Sequence, residues 1–260
     1  MKTITKALGG LVAAIALALP AQADPLTLAE LFAGQSITAG DKVFDNWTNL
    51  TDPGFFSSDP TRTFNPGNIT VTSLGDGGDD PGPGLRFAVL DGELNIGGDG
   101  GYAFIDLAFG FRVTPAPGKA IKDVSMDGVN GFLQFSPNAT GAGPLDAGFY
   151  IKEYVDSMGY VDLSFPNPDL ASIDVEFSYL EAAGETSKLK DGATFAPSNS
   201  IYVTKNVLVW ASAQTDAAGV WNFEQRFSQQ SVPEPGSLAL AALALAGLGA
   251  AARRRRIGGG

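Results

Sequence analysis

The sequence predicts an all-β fold: an antiparallel β-sandwich, jelly-roll-like, with one short N-terminal helix and a C-terminal hydrophobic helix. Three observations predict it. Apolar residues alternate with polar ones at a period of two, the pattern of strands with one buried and one wet face. Turn chemistry interrupts these runs throughout, with 33 Gly and 16 Pro in 260 residues. Helical spacing is confined to short stretches near the two ends.

The elements follow in chain order. The opening MKTITKALGGLVAAIALALPAQA places Lys2 and Lys6 before an apolar run, then Pro20, Ala21 and Ala23. Basic, apolar and A-x-A parts in that order predict a signal peptide over residues 1–23, cut by signal peptidase after Ala23. Asp24 as N-cap, Pro25 in the first turn and Gly34 beyond the end predict a short helix. Leu28, Leu31 and Phe32 would share its buried face.

Strand signals then take over. Every odd position of residues 103–113 is apolar, from Ala103 through Ile105, Leu107, Phe109 and Phe111 to Val113. VDLSF (161–165) alternates too. In IDVEFSY (173–179), Ile173, Val175, Phe177 and Tyr179 oppose Asp174, Glu176 and Ser178. In WNFEQRF (221–227), Trp221, Phe223 and Phe227 oppose Asn222, Glu224 and Arg226. Asp91-Gly92, Asp127-Gly128 and Asp191-Gly192 supply the positive φ of tight hairpin turns. One β-sandwich domain over residues 24–232 is expected, a boundary near TPAPGK (114–119) being the alternative.

Without its two ends the chain keeps 11 basic and 27 acidic residues, a net charge of −16 against −11 for the whole sequence. Such a surface repels phosphate backbones, so no nucleic-acid partner is expected. There is no Cys and no His. The body is therefore held by its core without disulfide staples, and Ser-His-Asp triads, Cys–His nucleophiles and imidazole or thiolate zinc sites are excluded.

The close of the chain differs in kind. Residues 238–252 are five Leu, eight Ala and two Gly, followed by Arg253, Arg254, Arg255 and Arg256. Fifteen helical residues reach about 22 Å, short of a hydrocarbon core of about 30 Å. Five leucines contribute only about −2.5 kcal/mol towards insertion. The arginines stop translocation and hold the C-terminus in the cytoplasm. Pro233, Glu234 and Pro235 precede the span, and two prolines keep a helix from running back across that corner.

VPEPGSLALAALALAGLGAAARRRR closely resembles the PEP-CTERM sorting signal of Gram-negative bacteria. The resemblance implies a recognition element at Pro233, Glu234 and Pro235, a short transmembrane helix over 237–252, and a basic stop at Arg253 to Arg256. It implies processing by exosortase, a membrane cysteine protease, from a transient inner-membrane anchor, with delivery to the cell surface or exopolysaccharide matrix. A mature chain from Asp24 to about Pro233 is expected. LAELFAGQSITAGDKVFDNW (28–47) resembles a stretch found early in many such proteins and names no activity.

Candidate sites in the body are sparse. Asp76, Asp79, Asp80 and Asp99 sit in Gly-rich stretches that suit calcium, which takes carboxylate and carbonyl oxygens on flexible loops. Their spacing fits neither an EF-hand nor the calcium-binding nonapeptide, and solvated hairpin loops are the plainer reading. No other cofactor is expected. Trp47, Trp210, Trp221 and six tyrosines read first as core packing and second as a sugar-stacking platform. Sequons at Asn46, Asn49, Asn68 and Asn138 read as chance. The favoured function is a non-enzymatic envelope or matrix protein, structural or associated with polysaccharide. The alternative is a carboxylate-dependent glycan hydrolase or lyase using Asp174, Glu176, Glu153 and Asp156.

Overall fold

The computed structural model describes residues 25–51, 55–76, 82–135 and 144–232. The expected signal peptide (1–23) and the expected C-terminal helix (237–252) lie outside these residues. Among the described residues sixteen strands run, beginning with β1 (Leu26–Thr27), β2 (Ile37–Ala39), β3 (Lys42–Asn49), β4 (Phe56–Ser57), β5 (Ile69–Leu74), β6 (Gly84–Val89), β7 (Asn95–Gly97) and β8 (Ala103–Pro115). They continue as β9 (Lys119–Gln134), β10 (Ala147–Asp156), β11 (Ala171–Leu180), β12 (Gly184–Lys188), β13 (Asp191–Ser198), β14 (Ile201–Ala211), β15 (Ala217–Arg226) and β16 (Gln229–Ser231).

They form two antiparallel sheets. The first has the order β1-β5-β6-β15-β9-β13, with β7 also on β15 and β16 also on β9. The second has the order β12-β11-β10-β14-β8-β3-β2, with β4 also on β8. Long strands cross from one sheet to the other between β8 and β9, β9 and β10, β13 and β14, and β14 and β15, so all-β sandwich packing is the fold.

The core lies where the inward faces meet. Strand β8 buries Ile105, Leu107, Phe109, Phe111 and Val113 as its alternation predicts. Phe87 of the first sheet stacks on Phe223 at 4.6 Å, and Trp47 of the second stacks on Phe111 at 4.5 Å. Trp47 reaches this core through a bulge in β3, where Asn46 takes a left-handed φ of 54°. Asparagine tolerates that conformation better than most residues.

Several local expectations are corrected. The helix is α1 (Leu28–Phe32), capped by Thr27 rather than Asp24; Thr27 and Glu30 form a reciprocal capping box. Residues 161–165 form a loop with no strand partner, and Phe165 is exposed. Trp221 also faces out, because β15 slips register against β9 between Val220 and Asn222. Asp91-Gly92 turns with positive φ at both residues, yet β6 and β7 on either side pair with β15 rather than each other. Asp127-Gly128 sits inside β9, where β15 shifts register, and Asp191-Gly192 opens β13 after the chain has changed sheets.

Candidate functional site

The outer face of the second sheet carries a groove of about 620 Å³. Its floor comes from adjacent strands: Asp106 and Ala108 on β8, Asn206 on β14 and Tyr154 on β10. One wall is the loop from Tyr160 to Ser164, and the other is Leu50, Thr51 and the exposed Phe56. The volume lies in the range of small-ligand pockets, about 300–1,000 Å³.

Local chemistry fixes the loop wall. The Val161 amide donates to Thr204 Oγ1 at 2.9 Å, and the Tyr160 hydroxyl donates to the Asn46 carbonyl at the β3 bulge. The Tyr160 ring lies flat on β8 because Gly110 beneath it has no side chain; a Cβ there would approach Cδ1 to 2.6 Å. Tyr160 meets Tyr202 edge-on at 5.3 Å, and burial pushes its hydroxyl pKa up to about 12. Beside it Arg112 grips Asp45 with two hydrogen bonds of 2.9 and 2.7 Å, tying β8 to β3.

The groove has one unusual acid. Burial pushes the Asp106 carboxyl above its ordinary range, opposed by the hydrogen bond from Asn206 Nδ2 at 2.5 Å. A raised pKa means the folded chain holds this proton more tightly than the unfolded chain. The ionised acid therefore costs stability as pH rises from 3.8 through the raised value. Asp106→Asn removes that cost, so the variant should melt slightly higher than wild type at neutral pH, by under about 1 kcal/mol. The gap should close as pH falls below 3.8, which thermal melts across pH will check.

The carboxylates of the hydrolase reading do not gather around a cleft. Glu153 lies inside the sandwich, fully buried. Asp174, on the outer face, is shared between Lys152 at 3.5 Å and Lys188 at 3.1 Å. Glu176 accepts from Ser178 Oγ at 2.5 Å, and Asp156 accepts the Met158 amide at 2.7 Å in the turn after β10. Each is occupied in holding its own neighbourhood.

Of the calcium expectation, Asp76 follows β5 at the Arg226 end of β15, where Arg226 binds the Gly75 carbonyl. Asp99 follows β7 at the Ala217 end and accepts the Gly101 amide. Ten strand residues, about 30 Å, separate those ends. Asp79 and Asp80 lie outside the described residues, as do Ala21, Ala23, Pro233, Glu234, Pro235 and Arg253 to Arg256. Among the described residues no three acids gather to hold a metal, and no helix is long and apolar enough to cross a membrane.

Tyrosines supply what periodicity missed. Tyr150, Tyr154, Tyr160 and Tyr202 all belong to the outer side of the second sheet, and Tyr102 stands exposed against Phe104 at 5.8 Å. Trp210 lies on that side too, over Gly148 and against Ser178, while Trp47 is in the core.

Residues 231–256 match the family model of the PEP-CTERM protein-sorting motif. The chain carries that motif, which implies export and processing by exosortase, as the sequence predicts. No curated protein matches the chain. Among solved structures, TmCBM61 in complex with β-1,4-galactotriose is similar at 10% identity, over 70% of this chain and 89% of that one, with a TM-score of 0.24. A likeness of that size says nothing of a ligand here.

Proposed function

We propose that this chain, exported on a PEP-CTERM protein-sorting motif, is a non-enzymatic protein of the cell surface or extracellular matrix whose sandwich holds neutral polysaccharide in the outer groove. The observation that carries the reading is the pairing of aromatic faces with a polar fork. Phe56, Tyr154 and Tyr160 line the same groove as the Asp106–Asn206 pair. A pyranose offers an apolar C–H face to a ring and hydroxyls to a carboxylate or amide, so such a groove can satisfy both.

Charge narrows the glycan. The body is strongly acidic, and Asp106 and Asp162 both line the groove. Uronate-rich polymers would bring like charge against them, so uncharged chains fit better. After release from its transient anchor at the inner membrane, the protein would meet such polymers in the matrix.

Calorimetric titration with neutral and uronate-rich polysaccharides tests this. The neutral polymer should bind, and Phe56→Ala should weaken binding about tenfold by removing a stacking face from the groove. Equal binding by the uronate polymer, or an unchanged Phe56→Ala variant, would overturn the assignment. Release of reducing ends from either polymer would return the hydrolase reading.

A further inference from the structure

Three polar side chains meet in the middle of the apolar core. Lys205 of β14, Glu153 of β10 and Gln225 of β15 are each wholly buried. Glu153 and Lys205 are register partners in the second sheet, while Gln225 comes from the first. One Glu153 oxygen accepts from Lys205 Nζ and the other from Gln225 Nε2. The rings of Phe223 and Phe87 close over the amine at 5.3 and 5.8 Å.

As three separate side chains the trio is poorly satisfied. An ammonium and a carboxamide bring five N–H protons, and only two find an acceptor. The Gln225 Oε1 atom, also buried, has no partner at all. Burial lowers the Lys205 pKa and raises that of Glu153, moving each towards its neutral form against the pull of the ion pair. A neutral amine, a protonated acid and a carboxamide in a dry pocket are the components of an amide exchange.

We propose that Lys205 and Gln225 condense into an intramolecular isopeptide bond that joins the two sheets, with Glu153 relaying the proton. Lys205 Nζ adds to Gln225 Cδ. The Glu153 carboxyl protonates the departing Nε2, which leaves as ammonia when the Cδ–Nε2 bond breaks. The resulting carboxylate takes a proton from Nζ and is restored as the acid. No oxidant or cofactor enters, and one N–H remains to donate to Glu153 in place of five. Gln225 is the acyl donor because Glu153, hydrogen-bonded to both the amine and the carboxamide, is the group placed to carry the proton between them. In a chain without cysteine, such a bond would do between sheets what a disulfide does elsewhere.

A related trio, Lys42, Asp41 and Gln229, also bridges the sheets, but Asp41 is 29% exposed and water reaches its carboxylate. No condensation is expected there. Mass spectrometry of the purified full chain after denaturation, followed by proteolysis, decides the matter. The expected result is a mass one ammonia below the sequence mass and a branched peptide joining Lys205 to Gln225. Glu153→Gln, which keeps both reacting residues, should run at the unreacted mass. An unmodified wild-type mass overturns the proposal whether or not the variant folds. So does a loss of water with the branch at Glu153, or a branch at Lys42.

Discussion

Lys205→Ala should lower the unfolding free energy by about 3–5 kcal/mol, the largest effect expected of a single truncation in this protein. Lys205 Nζ is the donor to one oxygen of Glu153, and both side chains are shut off from water. Removing the amine leaves that oxygen without its donor in the centre of the core, and the truncation also opens a cavity beneath Phe223 and Phe87. Domains of this kind have only about 5–15 kcal/mol to lose. Urea titration should show an earlier midpoint with an unchanged slope. Replacing the pair together, Lys205→Met with Glu153→Leu, should cost less than Lys205→Ala alone, because no buried acid is then left unpartnered. A double variant as damaged as the single one would mean the loss comes from packing or from the missing Lys205–Gln225 bond, not from an unpartnered Glu153.

Gly84→Ala should cost about 3 kcal/mol for a different reason. Gly84 pairs with Arg226 where β6 lies on β15, and its φ is not in the left-handed region. The constraint is space. A Cβ at residue 84 would overlap the carbonyl oxygen of Gln225 and come within 2.8 Å of Arg226 Cα. Neither is the movable end of a side chain, so β6 must lift from β15 to admit it. Gly159→Ala is the control: a Cβ there meets nothing within 4 Å, and the change should stay within about 0.5 kcal/mol. Similar losses for the two variants would show that glycine flexibility, not close approach, sets the cost.

How much of this was readable in the chain depends on which residues are asked. The alternation of β8 and β11 named the right inward faces, since a strand with neighbours on both sides has only two faces to choose between. The same alternation at residues 161–165 misled, because periodicity says nothing about whether another strand lies close enough to pair. Asp-Gly announced positive φ at Asp91-Gly92, but that backbone serves a turn between two in-line strands as well as it serves a hairpin. Trp221 followed its parity on paper and lost it to a register slip, which arises from pairing with β9 and has no local mark.

The buried trio was the legible feature that alternation alone undervalued. Lys205 stands between Val203 and Val207, Glu153 between Ile151 and Val155, and Gln225 between Phe223 and Phe227, each at the parity of the core. Three breaks in an apolar face, one on each of three strands, are a signal that can be sought in a sequence. The groove was not legible in that way. Its floor gathers Asp106, Tyr154 and Asn206 from three strands, and its wall is a loop whose place depends on a glycine one strand away.

Ser231 ends β16 and also begins the sorting motif. The next residue, Val232, still donates its amide to the Gly118 carbonyl at 2.8 Å. A peptidase acting at the motif would have almost no slack: three residues, at most about 11 Å of chain, span the gap from the hydrogen-bonded Val232 to Pro235. Such a peptidase would either accept the folded body close against it or wait for the three residues of β16 to peel from β9. In that case the rate of processing would be set by how often a short edge frays, a property of the cargo and not of the scissors.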